Sequence, residues 1–225
     1  LLPTNPDWAG GFREKWNVGE DEAKKIFEHF LDNTIDDYAE GRDLLWQNKT
    51  SNLSPYLRFG NISPRRIWQV VKSSTERGDK FLSELAWREF SYNLLYNFPE
   101  LPEKPLRGAF DNFPWVEDEK MLKSWQSGKT GIPVIDAAMR ELWVTGTMHN
   151  RARMIVASFL CKHLLIDWRW GETYFATKLL DYEQASNIGN WQWAAGSGVD
   201  AAPYFRIFNP EEQVKKFDKD LRYIK

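Results

Sequence analysis

The chain has 225 residues and a mass of 26.5 kDa, with 42% hydrophobic and 28% charged side chains, which suits one globular domain with a sizeable core. A single cysteine, Cys161, excludes an internal disulfide, and with only His29, His149 and His163 there is no Cys/His cluster at metal-ligand spacing, so no metal is expected. The formal net charge of −2 is uneven: residues 1–40 hold ten acids against four bases and 129–178 hold seven bases against four acids, which permits a basic face without requiring one.

No run approaches the roughly 18 consecutive apolar residues of a membrane span, and Leu1 to Pro6 lacks the basic-then-apolar order of a secretory signal. The expectation is a soluble monomer with no membrane partner, cytoplasmic, or nuclear in a eukaryote. Twelve tryptophans are the compositional outlier. Packing in a core accounts for most of them by default, and the remainder need another reason.

In chain order, Ala23, Ile26, Phe27, Phe30, Leu31, Ile35 and Tyr38 recur at helical spacing and predict an amphipathic helix over 21–39. Ser63 followed by Pro64 has the form of an N-cap and first-turn proline, opening a helix through Ile67, Val70 and Val71. Further helices are predicted over 79–97, 117–126, 133–145, 149–166 and 172–180, bounded by Gly, Pro or polar turn residues. With no convincing period-2 strand, the fold class is all-α. Long irregular connections remain at 42–57, 98–115 and 181–209, a length that in a compact domain points to function. The last of them mixes Gly189, Gly196 and Gly198 with Asp181, Asn187, Trp191, Trp193, Tyr204, Phe205 and Phe208. Tight backbone paths, short polar groups and anchoring aromatics suit a planar ligand, and equally suit a packed connection.

Six separated segments, in register, resemble the photolyase and cryptochrome family, and within it the class I enzymes that repair cyclobutane pyrimidine dimers. They are Tyr38 with Gly41, Arg42 and Asp43; TSNLSPYLRFGNISPR at 50–65; ELAWREF at 84–90; KTGIPVIDAAMREL at 129–142; MHNRARMIVASFL at 148–160; and the 181–210 segment. The resemblance implies the helical FAD-binding catalytic domain of that family over 1–225, with 1–20 as interdomain connection. The amino-terminal α/β antenna domain, and with it any antenna chromophore, is then absent from this chain.

The resemblance also implies roles for particular residues. Thr50, Ser51, Asn52, Leu53 and Ser54, with Tyr38 and Arg88, would grip the FAD phosphates; hydroxyls and backbone N–H groups in a short loop suit a diphosphate. Asn150, Arg153, Asp181, Tyr182, Glu183 and Asn187 would surround the flavin ring, with Asn187 beside N5 and Asp181 paired to Arg153 to favour a reduced flavin. Glu183 stands where many relatives have an Asp, and Tyr182 and Asn190 replace common glycines. Glu84, Trp87, Asn150, Met154 and Trp193 match the lesion cavity, where indole and thioether would pack on the dimer and Glu and Asn would read its edges. Glu84 would stabilise the dimer radical anion by hydrogen bonding or proton sharing. Arg42, Arg151 and Gln213 match contacts to ultraviolet-damaged DNA. Trp191, Trp168 and Trp115 match an electron-transfer relay ordered from flavin to surface.

The implied activity is a lyase reaction, light-driven splitting of the dimer by an electron from excited reduced FAD, with the lesion flipped out of the duplex. Two relatives of different function share the chemistry. A cryptochrome-like photoreceptor is opposed by Glu84, Trp87, Met154 and Asn187 occurring together. A photolyase for the (6-4) photoproduct is opposed because His149 is followed by Asn150 and not by a second histidine. A helical binding domain without cofactor leaves the six ordered segments unexplained.

Overall fold

In the computed structural model the described residues are 5–202 and 206–225, and among them the regular structure is helical. The α-helices are α1 (Gly10–Lys15), α2 (Glu20–Asn33), α3 (Tyr38–Gly41), α4 (Ser54–Arg58), α5 (Pro64–Ser74), α6 (Asp79–Asn97), α7 (Glu119–Gln126), α8 (Pro133–Thr145), α9 (Asn150–Ser158), α10 (Trp168–Lys178), α11 (Gln184–Ala195) and α12 (Pro210–Phe217). Local chemistry explains many of the boundaries. Asp118, His149, Asp167, Glu183 and Asn209 each accept a backbone N–H at the start of the helix they precede. Pro64, Pro133 and Pro210 occupy first turns, where their missing N–H costs nothing. Gly146 ends α8 at φ 70°, in the left-handed region that favours glycine.

Two apolar clusters hold the chain together. The smaller joins Phe27 and Phe30 of α2, Tyr38 of α3, Tyr56 of α4, Ile67 and Val71 of α5 and Phe81, Leu82 and Leu85 of α6. The larger gathers α7 to α12 around Trp125, Met139, Ile155, Leu160, Trp168 and Trp191. Helix α6 serves both, since Leu94 and Leu95 at its far end pack against the larger cluster. A helix that changes partners along its length has no single apolar stripe, and between the two clusters it walls a cavity.

Several expected boundaries shift. The 21–39 helix is α2, a short 3₁₀ turn at Ile35–Asp37, and α3. The predicted 149–166 helix is α9 followed by one π turn, Phe159–His163. The predicted 172–180 helix begins earlier, at Trp168. Ser63 precedes α5 as expected, but its side chain makes no capping bond. The 42–57 connection already contains the start of α4.

The largest correction is in 181–209, which contains the three-turn helix α11 and is not an irregular connection. Ala185, Asn187, Ile188, Trp191, Gln192, Ala194 and Ala195 are all buried, so burial covers most of its circumference and leaves no apolar period to read. Its two ends are fixed by chemistry that a loop reading overlooks. Glu183 Oε1 and Oε2 accept from the N–H groups of Ala185 and Ser186, at 3.0 and 2.8 Å. Gly196 closes the other end at φ 99°, where it, Ser197 and Gly198 all donate to the Gln192 carbonyl. Tyr204 and Phe205, read as loop anchors, lie outside the described residues.

The tryptophans also divide differently from a core-first reading. Trp125, Trp168 and Trp191 are buried, whereas Trp8, Trp68, Trp87, Trp143 and Trp170 are exposed.

Gln192 ties α11 to the 98–115 connection. Its side chain, 1% exposed, accepts from Leu106 N–H at 2.8 Å and donates to the carbonyls of Leu101 and Lys104 at 2.9 Å each. Replacing it with Leu leaves the buried Leu101 carbonyl and two half-buried backbone groups without that partner, and the Gln192→Leu variant is expected to lose about 2 kcal/mol in urea unfolding. A midpoint unchanged from the parent would show that the connection is held by other contacts.

Candidate functional site

Helical spacing brings the site residues to one place. On α6, Glu84, Trp87, Arg88, Ser91 and Leu94 recur three or four residues apart; on α9, Asn150, Arg153, Met154 and Ala157 do the same; on α11, Ser186, Asn187, Asn190, Trp191 and Trp193 face the same way. With Tyr38 and Arg42 from the α3 end and Ser51, Ser54 and Arg58 around α4, they line a cavity of about 550 Å³ between the two apolar clusters. That volume lies within the usual span of small-molecule and cofactor sites. Gly189 sits mid-helix in the lining, and a Cβ there would reach only Ser91 Oγ, at 3.8 Å.

Asp181 anchors one end. Its Oδ2 accepts from Arg153 Nη2 and from Ser54 Oγ, each at 2.7 Å. Arg153 also donates through Nε to the Met148 carbonyl at 2.8 Å, which fixes its fork. The other oxygen, Asp181 Oδ1, is buried with no protein partner. A buried carboxylate oxygen without a donor is costly, so this atom marks a position where a ligand group completes the network.

Asn187 is oriented from behind. Its Nδ2 donates to Glu172 Oε1 at 3.0 Å and to the Glu172 carbonyl at 3.2 Å. Glu172 in turn receives the Tyr182 hydroxyl at 3.4 Å, while the Tyr182 carbonyl accepts from Arg58. Asn187, lining the cavity with its amide nitrogen engaged, has its oxygen left to accept a hydrogen bond.

Elsewhere in the lining Glu84 carries two cations. Arg42 pairs with it, and Lys80 lies at 2.7 Å one turn earlier on α6. Burial would raise the Glu84 pKa, but the hydrogen bonds from Arg42 and Lys80 outweigh it and hold the carboxyl below its ordinary range. Tyr38, buried against Phe30 and Phe81, has its phenol pushed up to about 12, chiefly by burial. Trp87 is half exposed and meets Phe90 edge to face at 5.5 Å, and Asn150 Nδ2 lies 3.7 Å from Met154 Sδ. Arg88 lies over the Tyr92 ring and pairs with Glu89 at 2.6 Å.

Not every residue singled out in the sequence reaches the cavity. Of Thr50 to Ser54, only Ser51 and Ser54 line it; Leu53 is buried in the smaller core, and Thr50 and Asn52 bond to each other, with Asn52 at φ 53°. Glu183 lines the cavity but spends its carboxylate on the α11 cap, which the longer Glu side chain does with both oxygens. Asn190, likewise, returns its amide to the Ser186 carbonyl at 2.7 Å. Arg151 and Gln213 lie outside the lining: Arg151 pairs with Asp43 at 2.5 Å and covers the Phe217 ring. Trp191 lines the cavity and touches Phe175 and Trp125 edge to face, at 5.0 and 6.1 Å between centroids. Trp168 is buried and Trp115 half-buried against Phe113, away from the lining.

Residues the sequence reading missed include Lys80, Arg58 and Glu172. The Lys80 to Glu84 spacing, four along one helix, was a legible signal. Glu172 and Asn187 meet only through tertiary packing of α10 on α11. There Gly171 is decisive, since a Cβ would fall 2.1 Å from Trp191 Cη2.

Comparison with known proteins places these features in context. Residues 81–225 match the family model described as the FAD binding domain of DNA photolyase. The deoxyribodipyrimidine photo-lyase of Agrobacterium fabrum is 52% identical over 230 residues, covering 100% of this chain and 48% of that protein. A crystal structure of a bacterial class III photolyase from Agrobacterium tumefaciens superposes with a TM-score of 0.95 at 52% identity, covering 99% of this chain and 47% of that one. A Synechocystis cryptochrome superposes with a TM-score of 0.86 at 38% identity, covering 93% and 45%. The chain thus spans about half the length of the relatives it matches.

His149 supplies a pH test of the site. Its Nδ1 accepts from Arg151 N–H at 3.2 Å as the cap of α9, and its Nε2 is buried without a partner. Burial foremost lowers its pKa from 6.5 to about 4; Asp43 is the next influence and pulls the other way, while Arg151, Arg153 and Arg42 each add a smaller push downward. The unfolded chain therefore binds the extra proton first, so this stability is fully present above about pH 6.5 and is lost as pH falls towards 4, on the order of 3 kcal/mol in all. Melting curves of the parent should fall more steeply over that window than those of His149→Asn, which retains a capping side chain. Parallel curves would mean that the imidazole is not held neutral.

Proposed function

The chain belongs to the family of the FAD binding domain of DNA photolyase, and from that premise we propose that it binds FAD in the cavity and serves the light-driven repair of cyclobutane pyrimidine dimers in DNA. One observation carries this reading: Glu84, Trp87, Asn150, Met154 and Trp193 line the same cavity as Arg153, Asp181 and Asn187. A lesion-reading set and a flavin-tuning set share one space, as direct electron transfer from cofactor to lesion requires.

The residues present fit the cofactor. The unpartnered Asp181 Oδ1 calls for a donor, Ser51, Arg58 and Arg88 offer a hydroxyl and positive charge for a diphosphate, and Gly189 leaves room beside α11. When bound, reduced FAD supplies under light the electron that opens the cyclobutane ring and recovers it afterwards. Asn187, its amide nitrogen held by Glu172, would accept a hydrogen bond from a protonated flavin N5. Arg153 would hold positive charge near the ring, with Asp181 fixing its position. Trp87 and Trp193 would pack on the lesion with Met154. Glu84, held ionised by Arg42 and Lys80, would accept from the lesion's N–H edge, so hydrogen bonding is preferred here to proton sharing. Arg42, Arg151 and Gln213 are our candidates for the DNA contacts, and Trp191, Trp168 and Trp115 for the relay that restores reduced flavin. Burial supports Trp115 as the outer member, since Trp191 and Trp168 are equally buried and Trp115 is half-buried.

On class, the 52% identity to a class III photolyase weighs more than the class I features of the sequence, and we favour class III. A photoreceptor is the second reading, favoured by the likeness to the Synechocystis cryptochrome.

The test is the absorption spectrum of the purified protein, followed by thymine-dimer loss from oligonucleotides under blue light against a dark control. Bound flavin with light-dependent repair is expected, slowed about tenfold or more in the Glu84→Ala, Met154→Ala double variant. Bound flavin without repair would favour the photoreceptor, and a protein without flavin would remove the reading.

A further inference from the structure

We propose that Lys162 is a positioning residue for the lesion, tethering the segment that orients Trp193; this rests on reading the cavity as a pyrimidine-dimer site. Helix α9 does not stop at an ordinary cap. After Ser158 the backbone widens into the π turn Phe159–His163, a rare departure that is frequent at functional sites. Ser158 and Lys162, one at the threshold of the turn and one within it, reach the same stretch of chain. Ser158, fully buried, accepts from Phe208 N–H at 3.2 Å. Lys162 donates from Nζ to the carbonyls of Ala202 at 3.2 Å and Arg206 at 2.6 Å.

The tethered stretch in turn holds Trp193. Phe208 stacks on the indole with centroids 6.1 Å apart and planes 30° apart. The Arg206 guanidinium lies over the same ring at 4.8 Å and donates to the Asp200 carbonyl at 2.9 Å. Trp193 and Asp200 both line the cavity. The indole is therefore clamped by two side chains whose backbone is fixed from α9 and its π turn. Burial lowers the pKa of Lys162, and its ammonium is satisfied by carbonyls that flank residues 203–205. An apolar side chain of similar length would fill the space yet leave both carbonyls unfixed.

The experiment compares flavin-loaded wild type, Lys162→Met and Lys162→Arg in the dark, by fluorescence anisotropy. The probes are an oligonucleotide with a single thymine dimer and its undamaged twin. Lys162→Met is expected to keep its flavin spectrum and its affinity for the undamaged twin while losing about tenfold in affinity for the dimer, about 1.4 kcal/mol. Lys162→Arg, which restores charge and donors, should recover to within about threefold of wild type. The proposal is overturned if Lys162→Met binds the dimer as wild type does, if it loses both oligonucleotides alike, or if Lys162→Arg fails to rescue. Should Lys162→Met not fold, Lys162→Gln takes its place under the same criteria. A wild type that does not prefer the dimer would overturn the reading of the cavity itself, an outcome visible before any variant is made.

Discussion

The side-chain amide of Gln192 satisfies three backbone groups of the 98–115 connection from the last turn of a largely buried helix, and the site depends on that cross-link. Helix α11 contacts α6, α9 and α10, so it is the shared wall against which the other lining helices take their places. Its own register is set at both ends, by the two oxygens of Glu183 and by the left-handed Gly196. A helix fixed at its start and, through both the side chain and the carbonyl of Gln192, at its last turn can present Asn187, Trp191 and Trp193 at settled positions without being the most apolar element of the fold. Side-chain entropy lost in ordering these groups is met by contacts already required for folding.

Electrostatics around the cavity follow one rule, that buried charge is kept only in company. Arg153 answers Asp181, Arg42 and Lys80 answer Glu84, and Arg151 answers Asp43. A network of this kind could exist merely to satisfy itself. The unpartnered Asp181 Oδ1 argues otherwise, because a self-contained network would have closed that oxygen too. Glu84 makes a different point. Held by two cations, it is an acceptor poised for an N–H group, and the chemistry it can offer a ligand is set by Arg42 and Lys80 together, the first brought by tertiary packing and the second by its spacing on the same helix.

How much of this was legible depends on how local each cause is. The helices with one buried face, such as α2 with Ala23, Phe27 and Phe30, or α8 with Val134, Ile135, Ala138, Met139 and Leu142, announce themselves by period. Helix α11 does not, because burial on most sides erases the period, and its glycines read as loop residues. The residues that the resemblance assigns to the lesion all line one cavity, including Met154, whose helical context alone would assign it to the core. It could not foresee that Thr50, Asn52 and Leu53 turn away from the lining, since adjacent residues of one short stretch share a motif but not a direction. Nor could it supply Glu172, which reaches Asn187 only when α10 and α11 are packed.

That packing leaves the two sides of the cavity vulnerable to substitution in opposite ways. On the α10 side, the absence of a Cβ at Gly171 lets the Trp191 indole lie against the helix backbone, with Phe175 and Trp125 closing around its edge. There is no spare volume, so an added methyl must displace the indole or separate the helices, and overpacking is the vulnerability. On the far side, Trp193 is held by Phe208 and Arg206, themselves fixed by a few hydrogen bonds from Ser158 and Lys162. There the vulnerability is loss of a donor, not gain of volume. An indole buried within close-packed helices and an indole clamped by a tethered segment are suited to different duties. The first keeps a fixed distance to its neighbours, and the second can be brought against a flat ligand face without repacking the core.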